Sequence, residues 1–253
     1  MCLVAIAWKV HPRWRLLLAG NRDEFHARPT APLAHWADAS GIRAGRDLRS
    51  GGTWVGIDGR GRCAVVTNVR DPLAGGGGPS RGQLPVGFLE SDAATLAQAE
   101  SLAAGARDFA PFNLLLADAD ECVYLGNHPR GERRAIARGV HGMSNGGFDV
   151  AWPKTRMLCT AMRQWIEDGS EDFEPLWRAL ADERIAPDDA LPDTGVGIEW
   201  ERRLSSAFIR GADYGTRAST IIAIDHAGKG WIAERRFGPD GVFLGEIALD
   251  NDT

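Results

Sequence analysis

Cysteine is scarce in this 253-residue chain: four occur, Cys2, Cys63, Cys122 and Cys159, with no C-x-x-C pair among them. Such a set excludes a disulfide scaffold and suits a reducing compartment. Long apolar runs are missing too. No stretch reaches the roughly 18 residues that a membrane span requires, and the first run, Leu3 to Trp8, is too short for a signal peptide and lacks a cationic lead-in. Residue 2 is not glycine, so the myristoylation signature is absent. A soluble cytoplasmic protein without integral membrane contact is expected. Positive charge is also in deficit, with a net charge of −5 and a pI near 5.7. That excludes a broad nucleic-acid footprint, and the arginine-dense GERR and WERR segments read as surface charge. The six histidines, His11, His26, His35, His128, His141 and His226, show no H-E-x-x-H or paired-ligand spacing. GRDLRSGGTW and the tetraglycine lack the ending of a phosphate loop and the strand-to-helix setting of a dinucleotide fingerprint. No metal and no cofactor is expected.

What is present is a patterned globular sequence, 44% hydrophobic and 25% charged, long enough for one large core. We read it as a single domain over residues 1–253. The first third is rich in short β-prone runs, LVAIAWKV, RLLLAG, GIRAGRD, GTWVGID and GRCAVVTNV, with HPRW and DGRG as hairpin connections. Leu96, Ala99, Leu102 and Ala103 recur at helical spacing within 80–109, which predicts one or two helices. FNLLLAD, CVYLGN and ARGVHGMSN return to strand character. Helices are expected from Pro153 to about Trp165 and from Phe173 to about Leu180, then a loop at APDDALPDTGVG. TRASTIIAID, GWIAERRFG and FLGEIAL close the chain as three strands. The order is mixed α+β with antiparallel strands, and helices set between strand groups suggest layers of helix, sheet, sheet and helix. The tetraglycine at 75–78 reads equally as a mobile loop beside a pocket or as a solvated linker.

The opening MCLVAIAW poses a chemical question. If Met1 is removed, Cys2 carries a thiol and a free α-amine on one carbon. An α-amine titrates at about 7.7–8.0, so it accepts the thiol proton near neutrality without a histidine. Cys2 also reads simply as a small apolar residue at a strand start. GNRDEF, at 20–25, places four polar residues at the end of an apolar strand. Asn21 and Asp23 fall on one face, Arg22 and Glu24 on the other. An aspartate beside the amine would hold it and an arginine would favour the thiolate. A turn-supporting ion pair is the alternative. Asn68 and Arg70 end the strand of TNVRDP, Asn145 stands in the turn HGMSNGGFD where an amide can donate to an oxyanion, and Arg217 heads the strand after YGTR.

MC at the start, NRDE at 21–24, GGTW at 51–54, TNVR at 67–70, SRG at 80–82, HGMSN at 141–145, WPK at 152–154 and YGTRAST at 214–220 together resemble the NRDE family, the transport-and-Golgi-organisation proteins and their bacterial relatives. The resemblance covers nearly the whole chain. That family in turn is similar to N-terminal-nucleophile hydrolases of the choloylglycine hydrolase and penicillin acylase type. The resemblance implies a four-layer αββα fold. It matches Cys2 to the nucleophile, Asp23 to the aspartate near the amine, Asn68 to a substrate-side asparagine, Asn145 to the oxyanion-stabilising asparagine and Arg217 to a late active-site arginine. The hydrolases space arginine and aspartate as R-N-x-D, whereas Arg22 and Asp23 are adjacent here. Arg22 is therefore kept, with Asn21, Glu24 and Arg70, as a supporting residue. The implied function is a cysteine amidohydrolase or acyl transferase for a small-molecule linear amide, working through a Cys2 thioester. Because the family is also implicated in haem and lipid handling, the alternative is a haem or acyl-lipid carrier. His141 is then a candidate haem ligand or a structural histidine, and the tryptophans of AHWAD and VAWPK are candidates for an apolar pocket.

Overall fold

The computed structural model describes residues 2–38, 41–75 and 77–251. The first strand, β1 (Leu3–Trp8), is apolar at every position because both of its faces are covered. Val4, Ile6 and Trp8 point into the space between two sheets, while Leu3, Ala5 and Ala7 point at helices. The hairpin HPRW joins it to β2 (Trp14–Phe25), which continues straight through NRDEF instead of stopping before it.

The chain then forms β3 (Thr30–His35), β4 (Arg43–Asp47), β5 (Val55–Ile57) and β6 (Cys63–Asn68), followed by helices α1 (Gln83–Glu90) and α2 (Thr95–Gly105). β7 (Phe112–Ala117), β8 (Cys122–Gly126), β9 (Glu132–Ala135) and β10 (Gly139–Met143) follow. α3 (Pro153–Glu167), α4 (Glu174–Leu180) and α5 (Ile198–Arg203) precede the closing strands β11 (Tyr214–Asp225), β12 (Gly230–Phe237) and β13 (Phe243–Asp250). One sheet has the order β10-β1-β2-β11-β12-β13 and the other the order β3 through β9 in sequence, and every described pairing is antiparallel. Helices α3 and α4 cover the outer face of the first sheet through Leu158, Met162, Trp165, Leu176 and Leu180; α1 and α2 cover the second through Leu84, Phe88, Leu89 and Ala99. Between the sheets lie Ile6, Leu16, Leu18, Val65, Leu115 and Ile222. The result is the four-layer αββα sandwich.

Three elements escaped the sequence pattern. β3 carries Pro32 and lies at a sheet edge, where a missing N–H costs no ladder bond. β9, ERRA, is the opposite edge and is fully exposed, so it has no apolar face to read. α5, IEWERR, is short and has one buried residue, Glu201. Gly76 of the tetraglycine lies outside the described residues; Gly78 is left-handed and a Cβ there would meet the Asp108 carbonyl at 1.8 Å, so this part of the loop is packed against the chain.

One buried side chain ties the two sheets together at the end where Cys2 lies. Asn113 on β7 has no exposed surface, and its amide donates to Thr67 Oγ1 at 3.0 Å, Ser144 O at 3.3 Å and Gly146 O at 2.7 Å. Its Oδ1 accepts from the Tyr124 hydroxyl at 2.8 Å. Asn113→Ala leaves the Tyr124 hydroxyl and the Gly146 carbonyl without these bonds and Thr67 and Ser144 only with each other, so it should destabilise the fold by about 2–4 kcal/mol and lower Tm by about 5–15 °C. A thermal melt that moves by less than a degree would contradict this anchoring role.

Candidate active site

Antiparallel pairing of β1 with β2 sets Leu3 opposite Asn21, so Cys2 lies beside the NRDE segment. The backbone N–H of Cys2 donates to Asn21 O at 2.8 Å, and its carbonyl accepts from Ser144 Oγ at 2.5 Å. The thiol donates toward Asp23 O at 3.3 Å and Asn68 Oδ1 at 3.8 Å. Cys2 faces a cavity of about 140 Å³ lined also by Arg22, Asp23, Glu24, Arg28, Asp47, Thr53, Trp54, Thr67, Asn68, Ser80, Arg81 and Gly82. The sulfur therefore sits at the wall of a small, mostly polar chamber between the sheets.

The alternation of a strand divides the NRDE segment. Asn21 turns outward beneath the helices, donating to Leu180 O and Ala207 O at 2.8 and 2.7 Å and accepting from Ser219 Oγ at 2.7 Å. It holds the strand end in register instead of meeting a ligand. Asp23 accepts from Thr216 Oγ1 at 2.7 Å, while its Oδ2 is buried without a partner among the described residues. Arg22, on the inter-sheet face, is 5% exposed and stacks on the Trp54 ring at 4.4 Å, with Glu24 Oε2 at 3.7 Å. Adjacency does not exclude either residue from the Cys2 cavity: Arg22 and Asp23 both line it.

Asn68 stands at the junction of two cavities. Beyond it lies a more apolar cleft of about 400 Å³, lined by Arg70, Pro72, Asn145, Val196, Trp200, Leu204 and Tyr214. The Asn145 amide donates to Asn68 O at 3.0 Å and Asn68 Oδ1 at 2.9 Å, so it fixes Asn68 from behind. Arg70 pairs with Glu201 on α5 and reaches Asn145 Oδ1 at 3.4 Å. Arg217 is not among the residues around Cys2. It is the extra residue of a β-bulge between Thr216 and Ala218, a break in alternation that a uniform strand pattern does not show. Its guanidinium donates to Phe25 O and Arg28 O at 3.1 and 2.8 Å, and it lines a third cavity shared with Arg22 and Trp54.

Several residues of this site stood in the quoted motifs without being singled out. Thr53 and Trp54 belong to GGTW, and Ser80, Arg81 and Gly82 to SRG. The two motifs meet because Gly52 and Gly82 let their backbones touch: a Cβ on Gly52 would lie 2.5 Å from the Gly82 carbonyl. Arg81 donates to Pro111 O at 2.9 Å, and burial lowers its pKa. Lys154 of WPK is 4% exposed with no hydrogen-bond partner for Nζ among the described residues; burial pushes its pKa down, opposed by the charges of Asp23 and Cys2. Burial likewise raises the Tyr214 phenol, and the nearby Cys2 and Asp23 add to it. Arg28 and Asp47 form a 2.6 Å ion pair at the rim that no motif signalled.

His141 has both ring nitrogens engaged, Nδ1 with Asp149 Oδ2 at 2.8 Å and Nε2 with Ala137 O at 3.0 Å. Hydrogen bonding to Asp149 raises its pKa, and neither nitrogen is left to face a metal. Trp36 of AHWAD is buried in the outer core and donates to Ala44 O, whereas Trp152 of VAWPK lies under Arg70 at 5.2 Å.

Residues 1–239 match the family model described as Transport and Golgi organisation 2. The Transport and Golgi organization protein 2 homolog of Bos taurus is 33% identical over 258 residues, covering 93% of this chain and 92% of its own. The homolog of Homo sapiens is 30% identical with the same coverage. Among solved structures, a mutant conjugated bile acid hydrolase from Clostridium perfringens superposes with a TM-score of 0.54 at 8% identity, covering 100% of this chain and 94% of that one. A Caenorhabditis elegans ortholog of N-acylethanolamine-hydrolyzing acid amidase gives a TM-score of 0.52 at 10% identity, covering 87% and 92%. The fold is thus that of N-terminal-nucleophile hydrolases.

The other three thiols are held in their neutral form by burial, Cys159 pushed up to about 11, Cys122 to about 12 and Cys63 further still. At pH 8 a thiol titrating near 11 is ionised to about one part in a thousand. Iodoacetamide should therefore label Cys2 alone in the native protein, with the remaining three reacting after unfolding. Peptide mapping checks this, and native labelling of Cys159 at the rate of Cys2 would contradict it.

Proposed function

From a chain that belongs to the Transport and Golgi organisation 2 family and carries the fold of N-terminal-nucleophile hydrolases, we propose a cysteine amidohydrolase or acyl transferase that cleaves a linear carbon–nitrogen bond. The observation that carries this reading is the Cys2 thiol at the wall of a polar cavity, with Asp23 and Asn68 around it and its backbone nitrogen already anchored. Met1 lies outside the described residues, and the mechanism requires its removal.

The free α-amine of Cys2 takes the thiol proton, and Sγ adds to the amide carbonyl carbon. The carbonyl π pair moves to oxygen, giving a tetrahedral oxyanion. Asn68 accepts through Oδ1 in the resting site, so its Nδ2 is free of these contacts and supplies a donor to that oxyanion, with Asn145 holding it in place. The α-ammonium passes its proton to the leaving nitrogen as the C–N bond breaks, which leaves a thioester and a free amine. Water, or an acceptor amine in the transferase variant, then gives a proton to the α-amine and attacks the thioester, and the thiol is restored. Asp23 orients the α-amine, and Arg22 sets a positive charge on the wall of the same cavity. A free N-terminal thiol needs a reducing environment, which is why we assign the protein to the cytoplasm. No helix among the described residues is long and apolar enough to cross a membrane.

A second reading, acyl-lipid or haem binding, draws on the apolar cleft beside Asn68 with Trp200, Leu204 and Tyr214. The two readings separate on one variant. Cys2→Ala should cut kcat on a panel of N-acyl amides by at least about a thousandfold while leaving the melting curve intact, and intact mass of the unmodified protein should show Met1 missing. Undiminished turnover in Cys2→Ala ends the nucleophile mechanism. Retained Met1 with an inert Cys2, together with a saturable absorbance change on haem titration, would favour the carrier.

A further inference from the structure

The third cavity, behind Arg22, is small and strongly basic. Its volume is about 110 Å³, and three guanidiniums, Arg22, Arg217 and Arg236, surround it with one carboxyl, Glu234. It lies between strands of the two sheets, with the β3 backbone forming one wall, and the stacked pair Arg22 and Trp54 separates it from the Cys2 cavity, since both residues line both spaces.

The charges here do not balance within the protein. Arg22 is almost fully buried, its Nη1 has no hydrogen-bond partner among the described residues, and its ion pair with Glu24 is a long one at 3.7 Å, which Glu24 shares with Arg28. Arg236 Nε is also buried without a partner among the described residues, while its Nη2 donates to the Leu244 carbonyl at 3.2 Å. Arg217 spends Nη1 on two backbone carbonyls, and its charge opposes that of Arg22. Glu234 is 3% exposed and accepts from the Leu33 N–H at 2.8 Å. Burial pushes its carboxyl up to about 7, so near neutrality it supplies only part of one negative charge. A buried cation whose counter-charge is distant and not hydrogen-bonded costs several kcal/mol, and planar guanidiniums recognise carboxylate and phosphate oxygens through paired N–H donors.

We propose that this cavity is a binding site for one small oxyanion, of carboxylate or phosphate chemistry, held by Arg22, Arg217 and Arg236. The cavity admits a group of that size and no more, so the anion is either a free ion or the terminal group of a larger molecule entering from the β3 edge. The site shares Arg22 and Trp54 with the Cys2 chamber but does not need the thiol. Glu234 acts against the ligand: as pH rises through about 7 it ionises and weakens binding.

Calorimetric titration of the full chain with inorganic phosphate and, separately, with acetate tests this, the two arms separating phosphate from carboxylate preference. Saturable one-to-one binding of at least one of them is expected. Arg236→Gln should weaken it tenfold or more, and Glu234→Gln should tighten it several-fold at pH 8. If Arg236→Gln fails to fold, the Glu234→Gln change still decides, together with the fall in wild-type affinity for acetate, whose charge is constant, from pH 6 to pH 8. No saturable binding, or binding indifferent to both variants, overturns the proposal. Cys2→Ala should bind the anion as the wild type does, so loss of turnover and loss of the anion site are read independently.

Discussion

The buried amide of Asn113 is the constraint on which the site depends. A β-sandwich held only by apolar side chains leaves its two sheets free to slide, because hydrophobic contact is non-directional. Asn113 removes that freedom at one end. It reaches from β7 to the Ser144 and Gly146 carbonyls and meets Thr67 and Tyr124 on the way. The segment after β10 is thereby pinned to the end of β6. Ser144 then holds the Cys2 carbonyl and Asn145 holds Asn68, so a core hydrogen-bond network passes directly into the site.

A second constraint is buried charge. Arg22 stacks on Trp54 between the sheets, and Lys154, on the outer helix α3, is buried with no hydrogen-bond partner for Nζ among the described residues, both at a cost to stability. The sandwich tolerates them because its apolar layers are continuous elsewhere and the polar groups gather at one end. The same concentration sets the surroundings of Cys2 apart from those of the other cysteines. Cys63, Cys122 and Cys159 sit where burial suppresses ionisation, whereas Cys2 opens on a polar chamber with carboxylate, amide and guanidinium groups around it.

The polar end is not one pocket but three spaces sharing walls. Asn68 belongs to the Cys2 chamber and to the apolar cleft, while Arg22 and Trp54 belong to the chamber and to the basic cavity. The Cys2 chamber thus has an apolar recess on one side and a cationic wall on the other. Asn145 and Arg217, which the resemblance placed beside the nucleophile, occupy the outer spaces, one as the support of Asn68 and the other displaced by a bulge.

Much of this was legible in the residues themselves. The apolar run of β1 announces a strand buried on both faces, the period of two in NRDE sorts Asn21 and Asp23 from Arg22 and Glu24, and the scarcity of cysteine makes Cys2 conspicuous. These are local properties, set by side-chain chemistry and strand geometry. What the tertiary structure alone decided is which chain-distant groups share a space. The bulge that carries Arg217 away is an irregularity in pairing, invisible to any one strand. The meeting of GGTW with SRG depends on two glycines whose contact is thirty residues apart in sequence. Lys154, Glu201 and Arg28 take their meaning from neighbours on other elements, because burial and counter-charge belong to the packed molecule and not to the chain.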